Sequence, residues 1–205
     1  MTRRMLLAAA ALLAMALPAA EAARTTLRAT RPGAPPLTLR AVSNAEYWTI
    51  EVQEGGVESQ RIEVQTDLPN VLPRLAETNG DGALDLWVPV IGGNANTAWD
   101  VWLMQPGEGR FRRAGEVSGL GFSRDSAGRL VALGRNGCCS VVYTFHDFTA
   151  DGALREGFAI ERQVDSLNRG TCEPVAIAIN APPAAVRATC GLAPGQLPGT
   201  PLRVP

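Results

Sequence analysis

Between residues 37 and 161 the chain alternates apolar and polar side chains in short bursts. Leu37-Thr38-Leu39-Arg40-Ala41-Val42, Tyr47-Trp48-Thr49-Ile50-Glu51-Val52 and Arg61-Ile62-Glu63-Val64 change character at every second position. That is the period of a strand with one face buried. Gly55-Gly56 separates the second run from the third, as a hairpin turn would. Further runs follow at intervals of about ten residues: Asp85–Ile91, Trp99–Met104, Gly109–Ala114, Leu130–Leu133, Ser140–Phe145, Leu154–Glu161 and Val175–Ile179. Turn pairs divide them, namely Pro106-Gly107, Ala127-Gly128, Asn136-Gly137 and Asp151-Gly152. No later stretch carries the period of an amphipathic helix. Short strands at even spacing predict an all-β, single-domain antiparallel sandwich or barrel-like fold over residues 37–180.

The two ends read differently. Thr2-Arg3-Arg4 precedes an apolar run from Met5 to Leu17, Pro18 breaks it, and Ala20-Glu21-Ala22 supplies small residues for cleavage. This predicts a secretory signal peptide over residues 1–22 and a periplasmic or secreted protein. The apolar run is too short for a membrane span, and no other stretch approaches that length. Residues 23–36 read as a polar, Pro-punctuated lead-in. Residues 181–205, with Pro182-Pro183, Pro194-Gly195, Pro198-Gly199 and Pro201, read as an extended or flexible tail that cannot continue a sheet.

Charge and cysteines narrow the picture. Taking Arg3, Arg4 and Glu21 away from 19 basic and 20 acidic side chains leaves a net charge of −2. That balance gives no electrostatic case for nucleic acid or for an anionic membrane. Cys138, Cys139, Cys172 and Cys190 point to an oxidising compartment. Joining Cys138 to Cys139 closes a strained eight-membered ring, so each is expected to reach separately to Cys172 or Cys190. A Cys139–Cys172 bridge would close a loop of about 33 residues, worth roughly 3–4 kcal/mol in the chain-entropy model. The spacing suits neither a redox nor a zinc motif.

One stretch has the pattern of a cation loop: Glu77-Thr78-Asn79-Gly80-Asp81-Gly82-Ala83-Leu84-Asp85-Leu86. Oxygen side chains recur at every second position, followed by glycine and a further carboxylate. Ca2+ takes six to eight oxygens at roughly 2.3–2.6 Å, and a glycine sixth in the loop allows the sharp turn. The expected ligands are Glu77, Asn79, Asp81, the Ala83 carbonyl and Asp85. Val88 stands where an EF-hand places its bidentate Glu, so Asp85 supplies the closing carboxylate. Glu77 holds a position where Asp is usual, which lengthens that ligand by a methylene. Lying between core strands, the ion is expected to be structural. The alternative is a plain turn, since Asn-Gly and Asp-Gly both tolerate positive φ. Ala150-Asp151-Gly152-Ala153-Leu154 echoes the loop without its upstream oxygens and reads as a hairpin turn.

Catalytic signatures are missing. His146 is the single histidine, and no nucleophile elbow accompanies the nearby serines Ser123, Ser126 and Ser140. Zinc chemistry needs several His or carboxylate ligands, and phosphate or dinucleotide loops are absent. The sequence therefore argues against an enzyme. Trp48, Trp87, Trp99 and Trp102 lie in predicted strands and are expected in the core. Gly92–Thr97 and Arg135–Cys139 are small, polar loops of the kind that make contacts from a β-scaffold. Asn94, Asn96, Arg135 and Asn136 are the candidate partner-binding residues on loop chemistry.

Taken in order, these features resemble a known group. The loop Glu77–Leu86 is followed by Gly93-Asn94-Ala95-Asn96, Asp100-Val101-Trp102-Leu103 and Gly109-Arg110-Phe111. Gly134–Ser140 with its paired cysteines, a strand bearing Tyr143, and Asp151-Gly152-Ala153-Leu154 complete the series. This resembles the calcium-binding periplasmic proteins related to type I (invertebrate-type) lysozyme inhibitors, some of which are immunity proteins against peptidoglycan hydrolases. The resemblance covers roughly residues 60–162, and the cation loop is its one sharp motif. It implies a β-sandwich-like domain that inserts loops into the cleft of a hydrolase. A looser similarity, through the loop alone, is to FG-GAP or VCBS-type surface and adhesion modules.

Overall fold

The computed structural model describes residues 22–93, 95–163, 170–175 and 181–204. Within them the chain is built from three antiparallel sheets laid one on the next. Strands β1 (Arg24–Arg31), β2 (Ala34–Ser43), β3 (Tyr47–Glu54) and β4 (Val57–Gln65) form the first, in chain order. The second has β5 (Arg74–Ala76), β6 (Asp85–Gly92), β7 (Thr97–Gln105) and β8 (Arg110–Gly119). The third contains β9 (Gly121–Arg124), β10 (Leu130–Asn136), β11 (Ser140–Phe148), β12 (Leu154–Gln163) and β13 (Cys172–Pro174). The two-residue strand β14 (Thr200–Pro201) returns to pair with β9 on its other edge. None of the sheets closes into a barrel, so the fold is all-β and sandwich-like.

Period-two alternation sorts the side chains between layers. Leu86 and Val88 join Trp48, Ile50 and Leu39 in the core between the first two sheets. Trp87, between them in sequence, faces the opposite way and packs with Trp99, Val101, Phe122 and Leu130. On β10, Leu130 and Ala132 face that second core, whereas Val131 and Leu133 join Tyr143, Phe145 and Ile160 in a third. The middle sheet is therefore covered on both faces, and β6 and β7 are nearly continuously buried. Trp48, Trp87 and Trp99 are core residues as expected. Trp102 is half-buried against the first core, and its indole N–H donates to Asp100 at 2.9 Å.

Among the described residues no fourth sheet covers the third core. Helix α1 (Pro183–Cys190) lies there, with Ala185 packed against the cluster. Pro183 suits the start of this helix because its missing N–H is one that a first turn leaves unpaired. So the segment expected as an extended tail contains a helix and an added strand, contrary to the expectation that it could not extend a sheet. The stretch expected as a polar lead-in is likewise largely a strand. Leu27 and Ala29 of β1 pair with Leu39 and Leu37, while Arg24, Thr26, Arg28 and Thr30 alternate toward solvent and the last arginine, Arg31, is buried and paired with Glu54.

The disulfides also differ from expectation. Cys172 bonds Cys190, with Cα atoms 5.7 Å apart, and Cys138 bonds its neighbour Cys139. The pairing of β12 with β13 and the docking of α1 bring Cys172 and Cys190 together, which leaves the adjacent pair to each other on an exposed hairpin tip. Two disulfides fit an oxidising compartment. Among the described residues no helix is long and apolar enough to cross a membrane. The predicted signal peptide lies outside the described residues except for Ala22, as do residues 176–179 of the last predicted strand.

Candidate cation loop and binding rim

The loop from Glu77 to Leu84 joins β5 to β6. Gly80 and Gly82 take φ of +90° and +81°, a region that costs other residues steric strain. Oxygen side chains fold inward over the turn. The Glu77 carboxylate accepts the Gly80 N–H and is ion-paired to the Arg124 guanidinium of β9. Asn79 donates to the Asp81 carboxylate at 3.0 Å, and Asp81 accepts the Ala83 N–H at 2.8 Å. Ala83 itself is buried in the first core.

Asp85 lies apart from these, fully buried at the start of β6. One carboxylate oxygen accepts the Thr78 N–H and the other the Met104 N–H, both at 2.8 Å. Burial pushes its pKa up to about 7, while those two amide bonds pull in the opposite direction. Thr78 in turn accepts the indole N–H of Trp87 at 3.0 Å. The loop is thus tied into the second core from below. Glu77, Asn79 and Asp81 come together on the loop, but Glu77 is matched by Arg124 and both Asp85 oxygens serve backbone amides. Among the described residues no three His, Cys, Asp or Glu side chains gather in a way that could hold a metal. In this arrangement the donors do not close a calcium shell.

Three of the candidate contact residues meet at one edge of the stack. Asn96 donates to the Arg135 carbonyl at 3.1 Å and accepts the Arg135 N–H at 2.8 Å, so its amide pairs like an extra strand residue. Asn136 donates to Glu161 at 3.0 Å, and Ser140 donates to the same oxygen at 2.7 Å. Arg135, Asn136 and the Cys138–Cys139 tip are exposed. A groove of about 390 Å³ runs between Asn96, Ser118, Arg135, Thr144 and Glu161. Ile91, just before the 92–97 loop in the chain, is a large apolar side chain left 50% exposed. Asn94, the fourth candidate, lies outside the described residues.

His146 lies on β11, where burial holds its pKa below the usual imidazole range. Arg124 and Met104, which hold the cation-type loop from other strands, carry no local sequence signal. Their contacts join positions 47 and 19 residues apart. No protein-family model matches the chain, and neither the curated proteins nor the solved structures contain a match.

Proposed function

We propose that the protein is an exported binding protein that inhibits, or gives immunity to, a lysozyme-like peptidoglycan hydrolase in the periplasm or outside the cell. The observation that supports this reading is the Asn96–Arg135 pairing. It joins the β6–β7 loop to the end of β10 in the next sheet as one rim before any partner arrives, so less ordering entropy is lost on contact. The exposed Arg135 guanidinium and the Asn136 amide offer donors to a cleft lined with carboxylates. Ile91, exposed just before the Asn96 loop in the chain, adds apolar area. The action proposed is exclusion of substrate rather than turnover.

Calcium belongs to the same proposal as a second state of the 77–85 loop, in which Glu77 exchanges Arg124 for the cation. Asn79, Asp81 and the Ala83 carbonyl would be the other donors. What supports it is the spacing of the oxygens together with the positive-φ glycines.

The test is cell-wall lysis by invertebrate-type lysozyme and by bacterial peptidoglycan hydrolases, with the purified protein added. Lysis is expected to slow with at least one of them, and Arg135→Glu is expected to weaken that inhibition at least tenfold while leaving the melting temperature nearly unchanged. Full lysis rates with every hydrolase, combined with retention on whole cells or glycans, would replace this reading with an adhesion module.

A further inference from the structure

A second concavity lies on the outer face of the third sheet. Helix α1 forms one wall with Ala184, Ala185, Ala188 and Thr189. The turn after β9 forms another, and Pro198 and Gly199 of the C-terminal segment close the side. That segment is strapped down by the Ser123 hydroxyl, which donates to the Pro198 carbonyl at 2.6 Å, and by the Leu202 N–H to Phe122. The Cys172–Cys190 disulfide fixes the end of α1. The cleft measures about 380 Å³, within the span of small-molecule sites.

Its chemistry is selective. Arg129 lies over two stacked rings, 5.3 Å from the centroid of Phe145 and 4.8 Å from that of Phe158. Its charge is already met by Asp125, bonded through Nε at 2.8 Å and Nη2 at 2.6 Å. The other Asp125 oxygen accepts the N–H groups of Ala127 and Arg129. An incoming anion would meet Asp125 and an incoming cation Arg129, so neither gains a free counter-charge. Most of the remaining lining is alanine and proline. Two hydroxyls join it: Ser126, exposed at the mouth, and Thr189, fully buried, whose hydroxyl has no hydrogen-bond partner. Buried hydroxyls normally have one, because water is lost on burial and must be replaced.

We propose that the cleft between α1 and the β9–β10 turn binds a small uncharged molecule, with a compact apolar body and one hydroxyl or carbonyl oxygen that pairs with Thr189. This site is separate from the rim and does not depend on the hydrolase reading.

The test is an NMR titration of the purified protein, with cyclohexanol as the neutral probe and cyclohexanecarboxylate as its charged counterpart. Cyclohexanol is expected to give saturable amide shifts at Ala127, Arg129, Ala185 and Thr189, and the carboxylate at least tenfold weaker ones. Ala188→Leu, on the exposed side of the helix, should abolish the shifts without lowering the melting temperature. Thr189→Val should weaken binding at least threefold. An absence of saturable shifts, equal binding of the carboxylate, or indifference to either substitution would overturn the assignment and leave a cleft filled by water.

Discussion

The side-chain amide of Gln60 pairs with both backbone groups of Phe111, accepting its N–H and donating to its carbonyl, each at 2.8 Å. Gln60 belongs to β4 of the first sheet and Phe111 to β8 of the second, so this amide joins two layers. Asn96 does the same between the second and third sheets through Arg135. Gln60→Ala is expected to cost about 1–3 kcal/mol, because two part-buried backbone groups lose their partner at once. Denaturant unfolding measures it. Gln60→Glu should be nearly as costly, since a carboxylate accepts the N–H but faces the carbonyl with no donor.

Asp85 holds the 77–84 loop and strand β7 through the amides of Thr78 and Met104. Asp85→Ala leaves the N–H groups of Thr78 and Met104 buried without acceptors, an expected loss of about 2–5 kcal/mol. A melting temperature within two or three degrees of the parent (about 1 kcal/mol or less) would show that water or a neighbour replaces the carboxylate.

The same residue sets a pH dependence in chelator-treated protein. Its pKa is about 7 in the folded chain against an ordinary 3.8. Between those values the folded chain holds a proton that the unfolded chain has lost, so this group's contribution to stability falls as pH rises from 4 to 7 and is level above that. The slope is roughly 1.4 kcal/mol per pH unit at most. Asp85→Asn should remove it, which urea midpoints at pH 5 and pH 7.5 would reveal.

Arg124 and Glu77 are each about a quarter exposed, so their pair contributes little to stability by itself, about 1 kcal/mol or less. Arg124→Gln should therefore barely shift the melt in chelator. Once the competing guanidinium is gone, millimolar calcium is expected to raise the melting temperature of this variant more than that of the parent. Equal responses would separate the ion from this loop.

Replacing both Cys172 and Cys190 by serine opens a loop of 18 residues, an expected cost of about 3 kcal/mol in the chain-entropy model. Helix α1 should undock with it, and hydrogen exchange at Ala185 to Gly191 would rise toward that of an open segment.

Legibility followed the range of the interactions. The runs at Leu37–Val42, Tyr47–Val52, Asp85–Ile91 and Trp99–Met104 were readable because alternation along a strand is local, and so were the Gly55-Gly56 and Asn136-Gly137 turns. β1 was hidden by Arg24, Thr26, Arg28 and Thr30, which alternate outward while Ala29 packs inward. The oxygen spacing of Glu77 to Asp85 was visible, but not that Arg124 would meet Glu77, nor that Asp85 would turn to Met104. Asn96 and Arg135 were nameable as separate loop residues, and their pairing was not.

The sequence by itself determined the all-β class, the turns and the faces of most strands, since these depend on side-chain period and on glycine at positive φ. Tertiary structure decided which faces meet, which cysteines bond, and that residues 183–201 form a helix and a strand. Those outcomes rest on stacking: the outer face of the third sheet carries Tyr143, Phe145 and Ile160, apolar area that only the last part of the chain was left to cover.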